Sequence, residues 1–292
     1  MLNEIKNERP QPGSFIVFDL ETVVTDTRGH QAYLPMERYK PCAGSRSRRG
    51  YAPQDDPLIT PRWVFQSIVA ASAMLLTQHP EGNLQIESFE TWTAETHNEP
   101  AIVTALLNLM ADVPQGTRLA SWGGAWHDIP MLLRAAQTCG ATLPAGWDWL
   151  SFGGDGRVAH VDLQRIVTGG SKMKLIHMAE YAAAVGVPAK ITERPFAPAR
   201  LYQEKAWEKL EEVVEGDVIT TACLLARWKR LQDGRADIDT VTDRLLRQVA
   251  ELKPGRGYLR VLAAYRTRHF QARVAQCTRD AAVLAPWLDE AA

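Results

Sequence analysis

The chain alternates short unbroken apolar runs with stretches in which apolar residues recur every three or four positions. Ser14 to Asp19 (SFIVFD) is a run of the first kind and predicts a buried strand. Gln66–Thr77 and Leu84–Trp92 predict two more strands, joined by the turn HPEGN, so that the three form an antiparallel meander. Glu99–Val113 carries Ile102, Leu106, Leu109 and Met110 at helical spacing, and Pro100 suits a first helical turn. Thr117–Trp122 predicts a fourth strand. The pair Gly123-Gly124 then breaks the pattern before a helix over Asp128–Thr138. Val158–Leu163 predicts a fifth strand, followed by helices over Lys174–Val185 and Glu204–Leu231 and a mainly helical segment from Thr240 to Leu288. Between Thr25 and Pro61, Gly, Pro and Arg abound without a period, which predicts a long loop. The expected class is α/β: a mixed sheet flanked by helices, with a helical C-terminal extension.

Composition changes this picture little. The 292 residues are 46% hydrophobic and 23% charged, ordinary for a globular protein, and no apolar run is long enough to cross a bilayer. The opening segment MLNEIKNERPQPG lacks the apolar stretch of a secretory signal, so a cytoplasmic location without membrane contact is expected. Cys42, Cys139, Cys223 and Cys277 are scattered without metal-ligand spacing and are expected to be buried thiols. A net charge of −1 excludes bulk electrostatic capture of nucleic acid, but seven basic residues and no acid lie between Lys253 and Arg279. That block is either a solvated helix face or a phosphate contact.

The candidate chemistry lies in three acidic segments. Asp19-Leu20-Glu21 places two carboxylates two residues apart at a strand end, a spacing that turns both to one face. By itself such a triplet is common and signifies a solvated strand end. Asp128, in WGGAWHDIP, opens a helix after a strand and a glycine pair, and Asp217, in EGDV, lies within a helix. Alone, the first is an N-cap and the second a surface acid. As an ordered set they match the demands of phosphodiester hydrolysis. That reaction needs an attacking water placed, charge on phosphorus neutralised and a leaving oxygen supported. Hard divalent ions held by carboxylate oxygens meet those demands.

With VFDLET (residues 17–22), SWGGAWHDIP (121–130), HVDL (160–163) and EGDVITTACLL (215–225), the sequence resembles the DEDD (DnaQ-like) 3′→5′ exonucleases over about residues 14–230. It is most similar to stand-alone proteins related to the proofreading domain of family-B DNA polymerases. The resemblance implies a ribonuclease H-like domain over residues 10–235, followed by a helical extension over 236–292. It implies two Mg²⁺ or Mn²⁺ ions, with Asp19, Glu21 and Asp217 on the first, Asp19 bridging to the second and Asp128 completing the set. The implied substrate is nucleic acid, expected to be the 3′ ends of single-stranded DNA, with an exoribonuclease as the alternative. Asp162 matches a recurrent acid of the polymerase-B-like relatives but is expected to cap or brace the strand end.

The family's water-orienting residue is a Tyr four positions, or a His five positions, before the last Asp. Here those positions hold Val213 and Glu212. Valine cannot accept a proton. Glu212 and His127, which replaces the aromatic before Asp128, are the candidate bases. The family's Asn-Gly pair reads Gly123-Gly124. Either the metals suffice to activate water, or the chain is a weak, nucleic-acid-binding relative that retains the fold; the intact acid set favours activity. Arg46, Arg48 and Arg49 in the early loop, Trp126, and the lysines Lys172, Lys174 and Lys190 are candidates for contacting nucleic acid.

Overall fold

The computed structural model describes residues 13–37, 56, 58–148, 150, 159–170, 172–192, 198–233 and 238–284. Its centre is a five-stranded sheet in the order β3-β2-β1-β4-β5. The strands are β1 (Ser14–Val23), β2 (Ser67–Gln78), β3 (Leu84–Thr93), β4 (Arg118–Ser121) and β5 (His160–Asp162). β2 runs antiparallel to both β1 and β3, while β4 pairs parallel to β1 and to β5. The expected meander is present, and the mixed sheet with flanking helices is the ribonuclease H-like class.

Helices cover both faces. α2 (Glu99–Ala111) and α3 (Asp128–Cys139) bury Ile102, Leu106, Met110, Met131 and Leu132 against Ile16, Phe18 and Leu20. On the other face α7 (Trp207–Asp233) and α8 (Ile238–Leu252) share a cluster with Phe15 and Val17. Strand period decides the partition, because successive β1 side chains point to opposite faces. Asn98 caps α2 through its side-chain oxygen on the Ala101 N–H, and Gly140 ends α3 at φ 71°.

Three expectations about the elements need correction. The segment Thr25–Pro61 contains a helix, α1 (Arg28–Met36), whose one buried residue is His30; with so little apolar face it left no periodic signal. β1 does not end at Asp19 but runs on to Val23, through a register shift after Glu21. The helix expected from Lys174 begins at Met178, where His177 and Glu180 form a capping box (α5, Met178–Ala184), and it follows the short α4 (Leu163–Val167).

The C-terminal helices are not set apart from the core. Val241, Leu245, Leu246 and Val249 of α8, with Tyr258 and Leu262 of α9 (Tyr258–Leu284), are buried in the same cluster as Val218 and Leu225 of α7. Beyond Tyr265 and Arg266, α9 is mostly exposed, Phe270 and Cys277 included. Cys277 is therefore not the buried thiol expected; Cys223 is buried, Cys139 half-buried, and Cys42 lies outside the described residues.

Candidate active site

Asp19 and Glu21 continue the β1 face begun by Phe15 and Val17, and so point toward α7. There they meet Asp217, which sits on the α7 surface turned to the sheet. One ligand oxygen from each of the three carboxylates lies within 4.8 Å of the others. Asp128, buried at the first residue of α3, adds a fourth negative charge that bears on both Asp19 and Glu21.

Crowded carboxylates withdrawn from water hold their protons. Burial, followed by the charges of Asp128, Asp217 and Glu21, raises Asp19 well above the ordinary carboxylate range. Burial and Asp217 lift Glu21 to about 8; burial, Asp162 and Asp217 lift Asp128 to about 8. The described cation among them is Lys190, whose Nζ lies 3.1 Å from Asp217 Oδ2 and 3.3 Å from Oδ1. Among the described residues, one ammonium stands against four carboxyls, an excess of negative charge. The all-oxygen donor set suits hard divalent cations, and Asp19, Glu21, Asp217 and Asp128 are the residues that can hold them.

Neighbouring residues hold this arrangement. Gly216 lets α7 approach the segment before α6 (Pro198–Gln203): a Cβ there would lie 3.2 Å from Ile191 Cγ1. Thr220 donates to the Pro188 carbonyl at 3.1 Å, tying the same segment to α7. Between them Lys190 adopts φ 49°, a left-handed conformation that costs a non-glycine residue about 1 kcal/mol or more.

The turn that delivers Asp128 is held by Asp162. Its carboxylate accepts the Gly123 N–H at 2.9 Å, the Ala125 N–H at 3.1 Å and the Arg165 N–H at 3.2 Å, so it braces the loop and caps α4. Gly124 packs so closely that a Cβ would fall 2.5 Å from Ser121 Oγ and 3.1 Å from Asp128 Oδ2. Gly123 sits at φ 75°, a region that asparagine also tolerates, which fits the family's Asn at this position. Here, however, a Cβ would meet Gln164 Oε1 at 2.8 Å.

The two candidate bases differ. His127 Nε2 lies 3.2 Å from Thr22 Oγ1, whose own proton goes to Gln66 Oε1 at 2.6 Å; Nε2 is therefore the donor and Nδ1 the basic nitrogen. Burial lowers the His127 pKa, which favours the neutral ring. Glu212 does not face the cluster: its Oε1 accepts the Gly257 N–H from the turn between α8 and α9. Val213 packs with Leu210 and Val214, so the family's Tyr position holds an apolar contact.

The other candidates scatter. Trp126 is 59% exposed on the turn before Asp128, whereas Trp147 is buried and donates to the Met110 carbonyl. Lys172 and Lys174 are exposed between α4 and α5. Arg46, Arg48 and Arg49 lie outside the described residues. The basic block divides: Lys253 and Arg256 are tied to Glu215, Arg266 to Asp243, and the remainder lie along α9. The placement of Lys190 against Asp217 could not be foreseen, since nothing in its local sequence encodes a partner 27 residues away.

Sheet order and carboxylate cleft together are those of a ribonuclease H-like hydrolase. Residues 61–256, well over half of the chain, match the family described as "Predicted 3'-5' exonuclease related to the exonuclease domain of PolB", and the chain belongs to that family. The matched region contains Asp128 and Asp217, while Asp19 and Glu21 precede it. Comparison with the curated proteins brings up no match. Among solved structures, the chain is similar to the family B DNA polymerase from the hyperthermophilic archaeon Pyrobaculum calidifontis. The TM-score is 0.45 and the identity 18%, over 83% of this chain and 29% of that one. The chain thus spans less than a third of the polymerase's length.

Proposed function

We propose that the protein removes nucleotides from the 3′ ends of single-stranded DNA by a two-ion mechanism, using Mg²⁺ or Mn²⁺ bound at Asp19, Glu21, Asp128 and Asp217. The observation that carries this reading is the convergence of Asp19, Glu21 and Asp217 within 4.8 Å, with Asp128 adding its charge. Divalent ions in such a site supply Lewis acidity and a lowered water pKa. Asp19 and Glu21 contribute a fixed pair of donors on a rigid strand, and Asp217 closes the set from α7. Asp128 is aimed by the Gly123–Ala125 turn that Asp162 braces. Lys190 neutralises part of the Asp217 charge and offers an ammonium to a phosphate oxygen. Trp126 provides an exposed indole on which a terminal base can stack. Among the described residues no helix is long and apolar enough to cross a membrane, and a cytoplasmic location accompanies the reading.

A second reading, a nucleic-acid-binding relative with weak turnover, is favoured by Val213 alone. One assay separates the two. Labelled single-stranded DNA and RNA are digested with Mg²⁺, Mn²⁺ or EDTA. The proposal expects metal-dependent release of mononucleotides from 3′ ends; cleavage in EDTA, or none with either metal, overturns it. Val213→Tyr restores a group able to orient water and is expected to raise kcat by about tenfold, a fraction of the roughly 10²–10⁴ typical of a positioned acid or base. An unchanged kcat would mean that the missing side chain does not limit the rate.

A further inference from the structure

A cavity of about 570 Å³ lies along α7, beside the carboxylates. Val213 on its wall precedes Asp217 by one helical turn, and Thr192 follows Lys190 by two residues, so its inner edge adjoins the cluster. Three cations reach it from three elements: Arg200 of α6, Lys209 near the start of α7 and Arg260 of α9. All three are exposed. Two acids also line it. These are Glu208 and Glu212; the Gly257 N–H that Glu212 accepts is neutral, so among the described residues three cations face two carboxylates. Arg200 meets Glu204 at 3.5 Å in an exposed pair of the kind that contributes little and yields to a better anion. Leu201 and Val213 add apolar surface suited to a sugar or a base.

The outer wall is the turn between α8 and α9, and that turn is fixed. Lys253 and Arg256 both reach Glu215, at 2.9 and 3.0 Å, and the Tyr258 hydroxyl donates to the same carboxylate at 2.9 Å. A wall held this way is preformed, so an occupant need not order it. Small-ligand sites span about 300–1,000 Å³, so a nucleotide unit fits this space.

Resting on the exonuclease reading above, we propose that this cavity seats the single-stranded nucleotides upstream of the scissile bond. Arg200, Lys209 and Arg260 bind their phosphates. The C-terminal helical region is then a wall of the substrate channel. Cations arranged along a strand hold it without reading sequence.

The test uses the full chain and the double variant Lys209→Gln/Arg260→Gln. Binding of a fluorescein-labelled oligothymidylate roughly a dozen nucleotides long is followed by anisotropy in Ca²⁺. Hydrolysis of thymidylyl-thymidine, whose one phosphate is the scissile one, is followed in Mg²⁺. The double variant is expected to weaken oligomer binding about tenfold and to flatten its log–log salt slope by about 1.4, two single-strand phosphate contacts. Dinucleotide hydrolysis should stay unchanged. Arg268→Gln, a charge removed from the exposed stretch of α9, should leave binding as in the parent. Unaltered binding in the double variant, an equal loss on the dinucleotide, or an equal loss in Arg268→Gln overturns the proposal. A parent that binds the oligomer but hydrolyses neither substrate defeats the exonuclease reading, while the binding measurement still decides the cavity.

Discussion

Two carboxylates two residues apart on α7 lead opposite lives. Glu215 is fully buried and saturated: Thr91, Lys253, Arg256 and Tyr258 all point at it, two of them cationic. Asp217 faces Asp19, Glu21 and Asp128 with one described ammonium nearby. A buried charge with its partners in place holds structure together. A group of like charges crowded into a partly buried cleft without them is relieved by protons or by added cations. The first arrangement fastens the C-terminal helices to α7; the second is the candidate site.

Breaking each member of the pair should therefore do different damage. Asp19→Ala or Asp217→Ala is expected to reduce metal-dependent hydrolysis by about 10³-fold, the several kcal/mol that correctly held ions contribute. The melting temperature without metal should hold or rise, because repulsion is relieved. Full activity in either variant would contradict the assignment. Glu215→Ala should instead cost about 3–5 kcal/mol in urea unfolding, since it strands the Lys253 charge and leaves Arg256 with Glu211 alone. Molecules that remain folded should keep most of their metal affinity. A stability loss below 1 kcal/mol (roughly the scale of an exposed pair) would erase the contrast.

Gly124→Ala tests how finely the site is aimed. The new methyl would lie 2.5 Å from Ser121 Oγ, 2.8 Å from Ser121 Cβ and 3.1 Å from Asp128 Oδ2, so the turn that delivers Asp128 has to shift. A displacement near 1 Å should cost about 10² in kcat, read against an unchanged circular dichroism spectrum. The smallest effect is on pH. Glu21 and Asp128 rise from 4.5 and 3.8 to about 8, so between those limits the folded protein binds more protons than the unfolded chain. Their contribution to stability is complete below the unfolded values and is lost as pH rises through about 8. Thermal melts in EDTA should accordingly decline across this window. Mg²⁺, which displaces the protons, should stabilise more at the alkaline end than at the acid end. A Mg²⁺ effect independent of pH would mean that these carboxyls are not where the ions bind.

Much of the scaffold was legible from pattern. The apolar run SFIVFD marked a buried strand, the two-residue spacing put Asp19 and Glu21 on one face, and the order of elements predicted the mixed sheet. Asp162 was readable as a brace because strand-end acids commonly accept nearby N–H groups. α1 was not legible, having almost no buried face to impress on the sequence, and neither was the extension of β1 past the bulge.

Local pattern thus determined which way each carboxylate points relative to its own strand or helix, because side-chain direction follows from backbone period alone. Partnership was decided only in three dimensions. Lys190 reaches Asp217 through a left-handed turn packed on Gly216, and Glu212 and Glu215 are claimed by residues some 40 positions later. Nothing nearby in the chain distinguishes Glu215 from Asp217. What separates them is the set of charges that folding delivers to each, since a buried carboxylate's behaviour depends on the cations within a few ångströms and not on its neighbours in sequence.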